Sequence, residues 1–467
     1  SQRNWYTNQL QAIFEPVKDW RIVVEGSMRT YTRKQHWAVL PIYGYDVNNK
    51  PYLLSWNGGA AGYSEVQDER EDEDYFSGNI YSDYAKTIGN HYFKVMGGFN
   101  AELFRPSGMT GFGTDLISSN VPSLGLTQDN QKASAWARER AIAGFFGRVN
   151  YNYKERYMLE ANLRYDGSSR FVGDKRWGLF PSFSAGWNIA REDFFRPLAG
   201  VIGTLKLRGS WGQLGNNNTD KANAWYPFYQ NMITGSANSG WLIDSKKQNT
   251  AQLPGIVNSL MTWETIESWD IGLDFGLLDN RLTGSVGYYN RYTYDMIGPA
   301  PILPPVLGAL PPQVNNCDMK SYGWELELSW RDRISEFDYS ARFVLSDGKR
   351  KILRYPNPTN SLSSDVYYNG QILGDIWGYK TIGIAQTQEE MNAHLANGGT
   401  PNWGTNWGAG DVMYANLDGK EGVNNGSNTL EDHGDLTIIG NNTPRYNFGL
   451  TLTGAWKGFD FSVFLQG

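Results

Sequence analysis

Few residues in this chain have the means for chemistry, and they are scattered. Glu325 and Glu327 stand two apart, a spacing that puts both carboxylates on one face of a strand. Paired carboxylates can divide acid and base work across a glycosidic bond, yet on a polar strand face these read as electrostatic wall residues. Four histidines (His36, His91, His394, His433) lie far apart, which argues against a His-rich metal site. The single Cys317 can form neither an internal disulfide nor a Cys-based zinc site. No Gly-x-Ser-x-Gly elbow, His-Glu-x-x-His motif or glycine-rich phosphate loop after a strand occurs, so the chain reads as no enzyme. The one cation candidate is Gly410 to Gly422 followed by Glu431-Asp432, where Asp411, Asn416 and Asp418 could give oxygens to calcium. Leu417 and Lys420 break the alternating acid spacing of a good calcium loop. The stronger reading is a solvated turn cluster built on Asp-Gly and Asn-Gly, with no cofactor.

Binding chemistry is better supplied. Trp56, Trp225, Tyr226, Trp241, Tyr367, Tyr368, Trp403 and Trp407 fall in polar stretches between apolar segments, with Trp377 and Tyr379 nearby. Such rings can stack on sugars, contact a peptide or pack the loops that carry them. Thr387-Gln388-Glu389-Glu390 has the spacing of a capping box, predicting a short helix to about Leu395. The run Glu69 to Asp74 reads as a solvated acidic loop.

The elements that position these residues are strands. Of 467 residues 40% are hydrophobic, 14% are aromatic and 53 are glycine, and no apolar run is long enough for a transmembrane helix. A net charge of -6 from 42 basic and 48 acidic side chains leaves no footprint for nucleic acid. Hydrophobicity alternates with period 2 along most of the chain. Phe448, Leu450, Leu452 and Trp456 oppose Asn447, Thr451 and Thr453, and the pattern restarts beyond Lys457-Gly458 with Phe459, Phe461, Val463 and Leu465. Tyr157 to Tyr165, Ile271 to Leu277 and Trp324 to Trp330 repeat it, giving roughly fourteen strands of nine to eleven residues, the length that crosses a bilayer when tilted. Hairpin turns at one end are tight. At the other end connections are long, over 31–80, 105–140, 212–263, 296–322 and 347–446. Short turns on one side, long loops on the other and aromatic strand ends predict an all-β, transmembrane antiparallel β-barrel with long extracellular loops. Its lipid face carries the even residues of Phe448 to Trp456, and its lumen carries Arg148, Glu160, Arg164, Asp274, Arg291, Glu325, Glu327 and Arg342. The alternative reading is a secreted β-sandwich protein that binds or degrades glycans.

Longer strings carry a resemblance. Phe146-Gly147-Arg148-Val149-Asn150-Tyr151, Leu163-Arg164-Tyr165-Asp166-Gly167-Ser168-Ser169-Arg170-Phe171 and Trp177-Gly178-Leu179-Phe180-Pro181-Ser182 resemble barrel segments of SusC/RagA-type TonB-dependent outer-membrane transporters. The likeness continues through Leu205 to Asn216, Trp269 to Phe275, Gly323 to Leu328 and Gly458 to Gly467. It implies import of oligosaccharides or peptides across the Gram-negative outer membrane, a SusD-like surface lipoprotein closing over the mouth as a lid, and an inner-membrane TonB complex acting on a plug. Assembly as a dimer of transporter–lipoprotein pairs is an expectation of the same kind. The loop aromatics become candidate contacts for substrate or lid. Signal peptide, plug and last strands are not recognisable, so the sequence is expected to be an incomplete, interior portion of a larger barrel, its sides in outer-membrane lipid.

Overall fold

The computed structural model describes residues 1–55, 61–219, 225–230, 232, 234–236, 242–247, 249–251, 254–301, 304, 306 and 311–467. One antiparallel sheet of fifteen strands dominates it. In chain order these are β1 (Gln2–Val17), β2 (Trp20–Val39), β3 (Glu65–Ile88), β4 (His91–Leu116), β5 (Thr127–Ala137), β6 (Arg140–Tyr153), β7 (Tyr157–Ser168) and β8 (Trp177–Asn188). They continue as β9 (Ile202–Asn216), β10 (Glu264–Leu277), β11 (Leu282–Gly298), β12 (Val314–Ile334), β13 (Phe337–Arg354), β14 (Asn447–Trp456) and β15 (Phe459–Gln466). Fourteen of them pair strictly with their sequence neighbours. The fifteenth, β5, lies on the outer half of β4 and leads into β6, which occupies the inner half, so the two together act as one interrupted strand. Among the described residues no ladder joins β1 to β15.

Local chemistry closes the hairpins. At Lys457-Gly458 both residues adopt positive φ (47° and 88°), the backbone of a two-residue turn whose twist matches its strands. Tight turns recur at Lys18-Asp19, Gly89-Asn90, Lys154 to Arg156, Leu278 to Arg281 and Ser335-Glu336, all at one end of the sheet. The seventh connection at that end, Ile189 to Val201, is longer and holds two 3-10 turns.

Register turns the period-2 pattern into two surfaces. One row crosses eight strands as Phe448, Leu345, Leu326, Val286, Leu273, Leu207, Trp187 and Tyr157. The adjacent row on the opposite face runs Gly449, Val344, Glu327, Ser285, Asp274, Lys206 and Asn188. Large apolar side chains of the first face stay uncovered, among them Leu159, Phe183, Ile271 and Val286. A sandwich would bury that face against a second sheet. Here all fifteen long strands lie in one sheet and the short two-stranded ladders belong to the loops, so the sandwich alternative is set aside. The apolar stretch of β7 runs from Tyr157 to Tyr165, and that of β3 from Phe76 to Tyr84. Nine residues make roughly 30 Å of strand, which at a tilt of about 40° spans roughly 23 Å, the height of an outer-membrane apolar band. Ring pairs mark the outer border: Tyr165 with Trp177 at 4.9 Å and Trp269 with Tyr288 at 5.6 Å between centroids.

Several strands outrun the expected nine to eleven residues, and the connections shrink accordingly. Strand β3 has 24 residues and β4 has 26. The loops expected over 31–80, 105–140, 212–263, 296–322 and 347–446 are 40–64, 117–126, 217–263, 299–313 and 355–446. Glu69 to Asp74, expected as a solvated loop, is in β3. Its charges tolerate the sheet because partners stand opposite: Arg33 of β2 reaches Glu69 at 3.2 Å and Glu71 at 3.3 Å on one face, while His36 meets Asp68 at 2.6 Å on the other. Since both faces are charged there, this part of the wall stands beyond the lipid. The predicted helix forms over Gln388–His394, capped by the Thr387 hydroxyl, which accepts from Glu390 N–H. No helix among the described residues is long and apolar enough to cross a membrane.

Candidate functional site in the lumen wall and its mouth

The inner face is polar, and many of its charges are matched within a strand or between neighbouring strands. Asp83 of β3, nearly buried, accepts from Arg21 of β2 at 2.9 and 3.0 Å and stands 3.4 Å from the Lys94 ammonium of β4. Glu160 of β7 accepts from Asn150 and Asn162, with Arg148 at 3.8 Å. Arg208 of β9 lies 3.3 Å from Asp274 and 3.6 Å from Asp270 of β10. Arg164 pairs with Asp166 at 2.8 Å, and Arg342 with Glu327 at 2.7 Å. The expected lumen residues thus share one face, and Glu327 is engaged by Arg342 instead of forming a free carboxylate pair with Glu325. Such a wall is wettable and holds both signs.

Towards the long-loop end, β2 to β6 rise into a mouth. The Arg29 guanidinium lies 5.2 Å from the Tyr75 ring centroid. The Glu73 carboxyl is pushed above its ordinary range, first by burial and then by Glu71, against the pull of Arg29 and Arg140. Trp225 and Tyr226 come down onto the β5–β6 junction. Trp225 Nε1 donates to the Glu139 carbonyl at 2.9 Å. The Tyr226 hydroxyl donates to the same carbonyl at 3.0 Å and accepts from Glu139 N–H at 2.8 Å. Three guanidinium groups surround the Trp225 ring, from Arg170 (5.0 Å), Arg138 (5.5 Å) and Arg140 (5.8 Å). Trp56 and Trp241 lie outside the described residues.

The 355–446 loop folds on its own aromatics. Trp403 stacks on Tyr379 at 4.4 Å and meets Tyr414 at 5.7 Å, and Trp407 closes edge-on at 6.4 Å from Trp403. Tyr368 is buried and accepts from Trp377 Nε1 at 3.1 Å, whereas Tyr367 is exposed and packs edge-on to Tyr355. Trp403, Trp407 and Tyr368 are therefore brought into loop packing, while Tyr367 keeps a free surface. The cation candidates divide. Asp411 accepts from Gly408 N–H at 2.8 Å in one turn. Asn416 and Asp418 share another, where Asn416 donates to the Gly398 carbonyl at 2.9 Å and Asp418 accepts from Lys420 N–H at 2.9 Å. Among the described residues no three His, Cys, Asp or Glu side chains converge as metal ligands. The organiser of that turn is Asp435, which sequence reasoning missed. It is fully buried and accepts from Leu417, Asp418 and Asn424 N–H.

A family model described as TonB dependent receptor-like, beta-barrel, matches residues 2–466. The chain belongs to this family. Its barrels lie in the outer membrane of Gram-negative bacteria, which accounts for the uncovered apolar band. The chain is 28% identical over 426 residues to the TonB-dependent receptor SusC of Bacteroides thetaiotaomicron, covering 90% of this chain and 39% of SusC. It is 27% identical over 403 residues to TonB-dependent receptor P3 of Formosa agariphila, covering 83% of this chain and 38% of that receptor. The structure of the RagAB peptide transporter superposes with a TM-score of 0.74 at 17% identity, over 99% of this chain and 48% of that one, a likeness of fold. The chain spans about two-fifths of the length of these curated relatives.

The sequence reading missed Trp136 and Arg140, which the register places on the inner face, and Arg138 between the two strands, whose guanidinium lies over the Trp136 ring. The alternation Trp136, Arg138, Arg140 against Ala137 and Glu139 was the available signal, hidden because the segment read as loop.

Proposed function

We propose that this chain walls an energised importer that carries oligosaccharides or peptides across the outer membrane without chemistry on them. The observation that supports this most directly is the pairing of two surfaces in one sheet: a lipid-facing apolar band and, behind it, a wettable wall whose ion pairs are satisfied between adjacent strands. A wall so compensated binds neither sign tightly along its length, which suits passage more than storage. Energy would come from a TonB complex acting on a plug. A SusD-like surface lipoprotein would cover the mouth, with Tyr367 and the 217–263 loop among its contacts, and pairs of such units would form the dimer. Trp225 and Tyr226 stand at the rim, where the ring surface their packing leaves open would contact substrate. The Asn416 to Lys420 turn is taken as scaffolding held by Asp435.

The test uses the natural full-length chain. Purified from native membranes in mild detergent, it is expected to bring a second, lipid-anchored chain, and cells lacking it are expected to lose uptake of a labelled oligosaccharide or peptide. A chain that stays soluble and monodisperse without detergent, or a deletion strain with unchanged uptake of every oligomer supplied, would sink the proposal. Calcium titration of the same preparation, followed by the melting of the 355–446 loop, tests the turn: stabilisation at micromolar calcium would replace scaffolding with a cation site.

A further inference from the structure

We propose that the lumen-facing junction of β5 and β6 is a recognition site for anionic sugars, with Arg138 and Arg140 binding carboxylate or sulfate groups and Trp136 receiving the sugar face. This rests on the import reading and names its substrate class.

Charge placement at the junction is asymmetric. Side chains alternate between faces, so Glu139 turns away from its two basic neighbours and pairs with Arg105 of β4 at 2.6 Å. Arg138 and Arg140 remain together on the inner face beside Trp136. Among the described residues neither has a carboxylate within ion-pair distance. Among the other inner-face arginines, Arg21, Arg33, Arg164, Arg208 and Arg342 have acidic partners, whereas Arg29 and Arg291 have none among the described residues. Glu73 feels the field of Arg140 but does not pair with it.

The two guanidinium groups are held by ring faces. Arg138 lies 5.0 Å from the Trp136 centroid and 5.5 Å from that of Trp225, and Arg140 lies 4.9 Å from Phe104 and 5.8 Å from Trp225. A guanidinium placed over a ring keeps N–H donors that can bind a carboxylate or sulfate through two parallel bonds. The third cation, Arg170, has a separate role. It is buried and donates to the Asn217 carbonyl at 3.2 Å and to Asn218 at 3.3 Å, fixing the loop that carries Trp225. Trp136 is 39% exposed: its indole lies against Gly108 of β4 and against Arg138, and the rest of the ring is apolar surface for the C–H face of a pyranose. A partly exposed indole beside two guanidinium groups matches a uronate or a sulfated sugar. An acidic peptide offers the charge without the flat ring.

The experiment measures equilibrium binding to the natural full-length chain in detergent, which needs no energy source. Probes are an oligogalacturonate hexamer, its fully methyl-esterified neutral form, and hexaglutamate. The acid is expected to bind about tenfold tighter than the ester, two partly exposed ion pairs contributing, and to weaken as salt rises. In the R138Q/R140Q double variant that preference should vanish while the ester binds as before. Heat-modifiability on gels checks that the variant barrel folds, and the single variants R138Q and R140Q give a graded loss should the double variant fail to fold. Equal binding of acid and ester, a preference that survives in the folded double variant, or tighter binding of hexaglutamate overturns the assignment. Labelled-oligomer uptake in cells separates this from the import reading: import of the neutral ester without preference for the acid refutes the anion site and leaves import standing.

Discussion

Asp435 offers the sharpest test of how the largest loop is built. Its carboxylate is fully buried and gives Oδ1 to Leu417 N–H and to Asp418 N–H at 3.1 Å, and Oδ2 to Asn424 N–H at 2.8 Å. Its own N–H donates to the Asn424 carbonyl at 2.8 Å, so the residue ties two turns from both sides. In Asp435→Ala three N–H groups lose their acceptor inside the loop. Each unsatisfied group costs roughly 1–3 kcal/mol, and removing the buried charge gives part of that back. About 3 kcal/mol of local stability is the expected loss, which corresponds to amide exchange faster by about a hundredfold. Asp435→Asn separates geometry from charge. Its amide oxygen can still serve one pair of N–H groups, but its NH2 faces a donor, so one side exchanges about tenfold faster. Hydrogen–deuterium exchange on the natural full-length chain in detergent, read on peptides covering 414–426, carries the assay. Unchanged exchange there in Asp435→Ala would refute the reasoning, and so would a uniform increase across β13 and β14, which would report global loosening.

Two further predictions follow from the wall. Val286 sits mid-row on the apolar face, so Val286→Arg should lower stability in liposomes by roughly 2–4 kcal/mol, whereas Ser285→Arg, facing the lumen between Asp274 and Glu327, should be nearly neutral; equal costs by urea titration would show the faces to be misassigned. At the tight-turn end, Asp193 is held below the usual carboxylate range by its hydrogen bond with Arg156, and Glu192 by the Tyr157 hydroxyl, then Trp187 Nε1 and Arg156. Carboxyls lowered in the folded state contribute order above the ordinary carboxylate range, about pH 4, and lose it as pH falls through the lowered values. Trp187 emission should therefore stay constant from pH 7 to 5 and change below about 4, with Glu192→Gln removing much of that step; a transition near pH 6 would contradict the assignment.

Much of this architecture is legible in sequence because a barrel wall needs only alternation and turns. The apolar faces of β7, β10, β12 and β14 are as their residues announce, and the even residues of Phe448 to Trp456 lie in the apolar rows. What sequence hid was where the strands stop. A count of nine to eleven residues measures the lipid band, since the band is where polar and apolar residues must alternate. Beyond it both faces meet water, alternation carries no cost, and β3 continues from Tyr75 back to Glu65 through charges that read as a loop. The information lay in long-range complements: Arg33 interleaves with Glu69 and Glu71, and His36 faces Asp68, pairs more than thirty residues apart whose register no local window reveals.

The same limit explains why the loop aromatics were found without their roles. Ring type says that a residue has surface to bury, not what buries it. Trp403 and Trp407 spend theirs on Tyr379 and Tyr414, and Tyr368 on Trp377. Trp225 spends its ring on three guanidinium groups, and so helps to hold Arg138 and Arg140 in place at the junction. At the mouth, that couple has no acidic partner among the described residues and is held beside an exposed indole, which gives it a claim to set what enters. The claim depends on register, because shifting β5 and β6 by one residue would send Arg138 and Arg140 outward and bring Glu139 in. Spin labels at 138 and 139 of the full-length chain should therefore differ, with 138 reached by a reagent confined to the lumen and 139 not. The reverse pattern would remove the site.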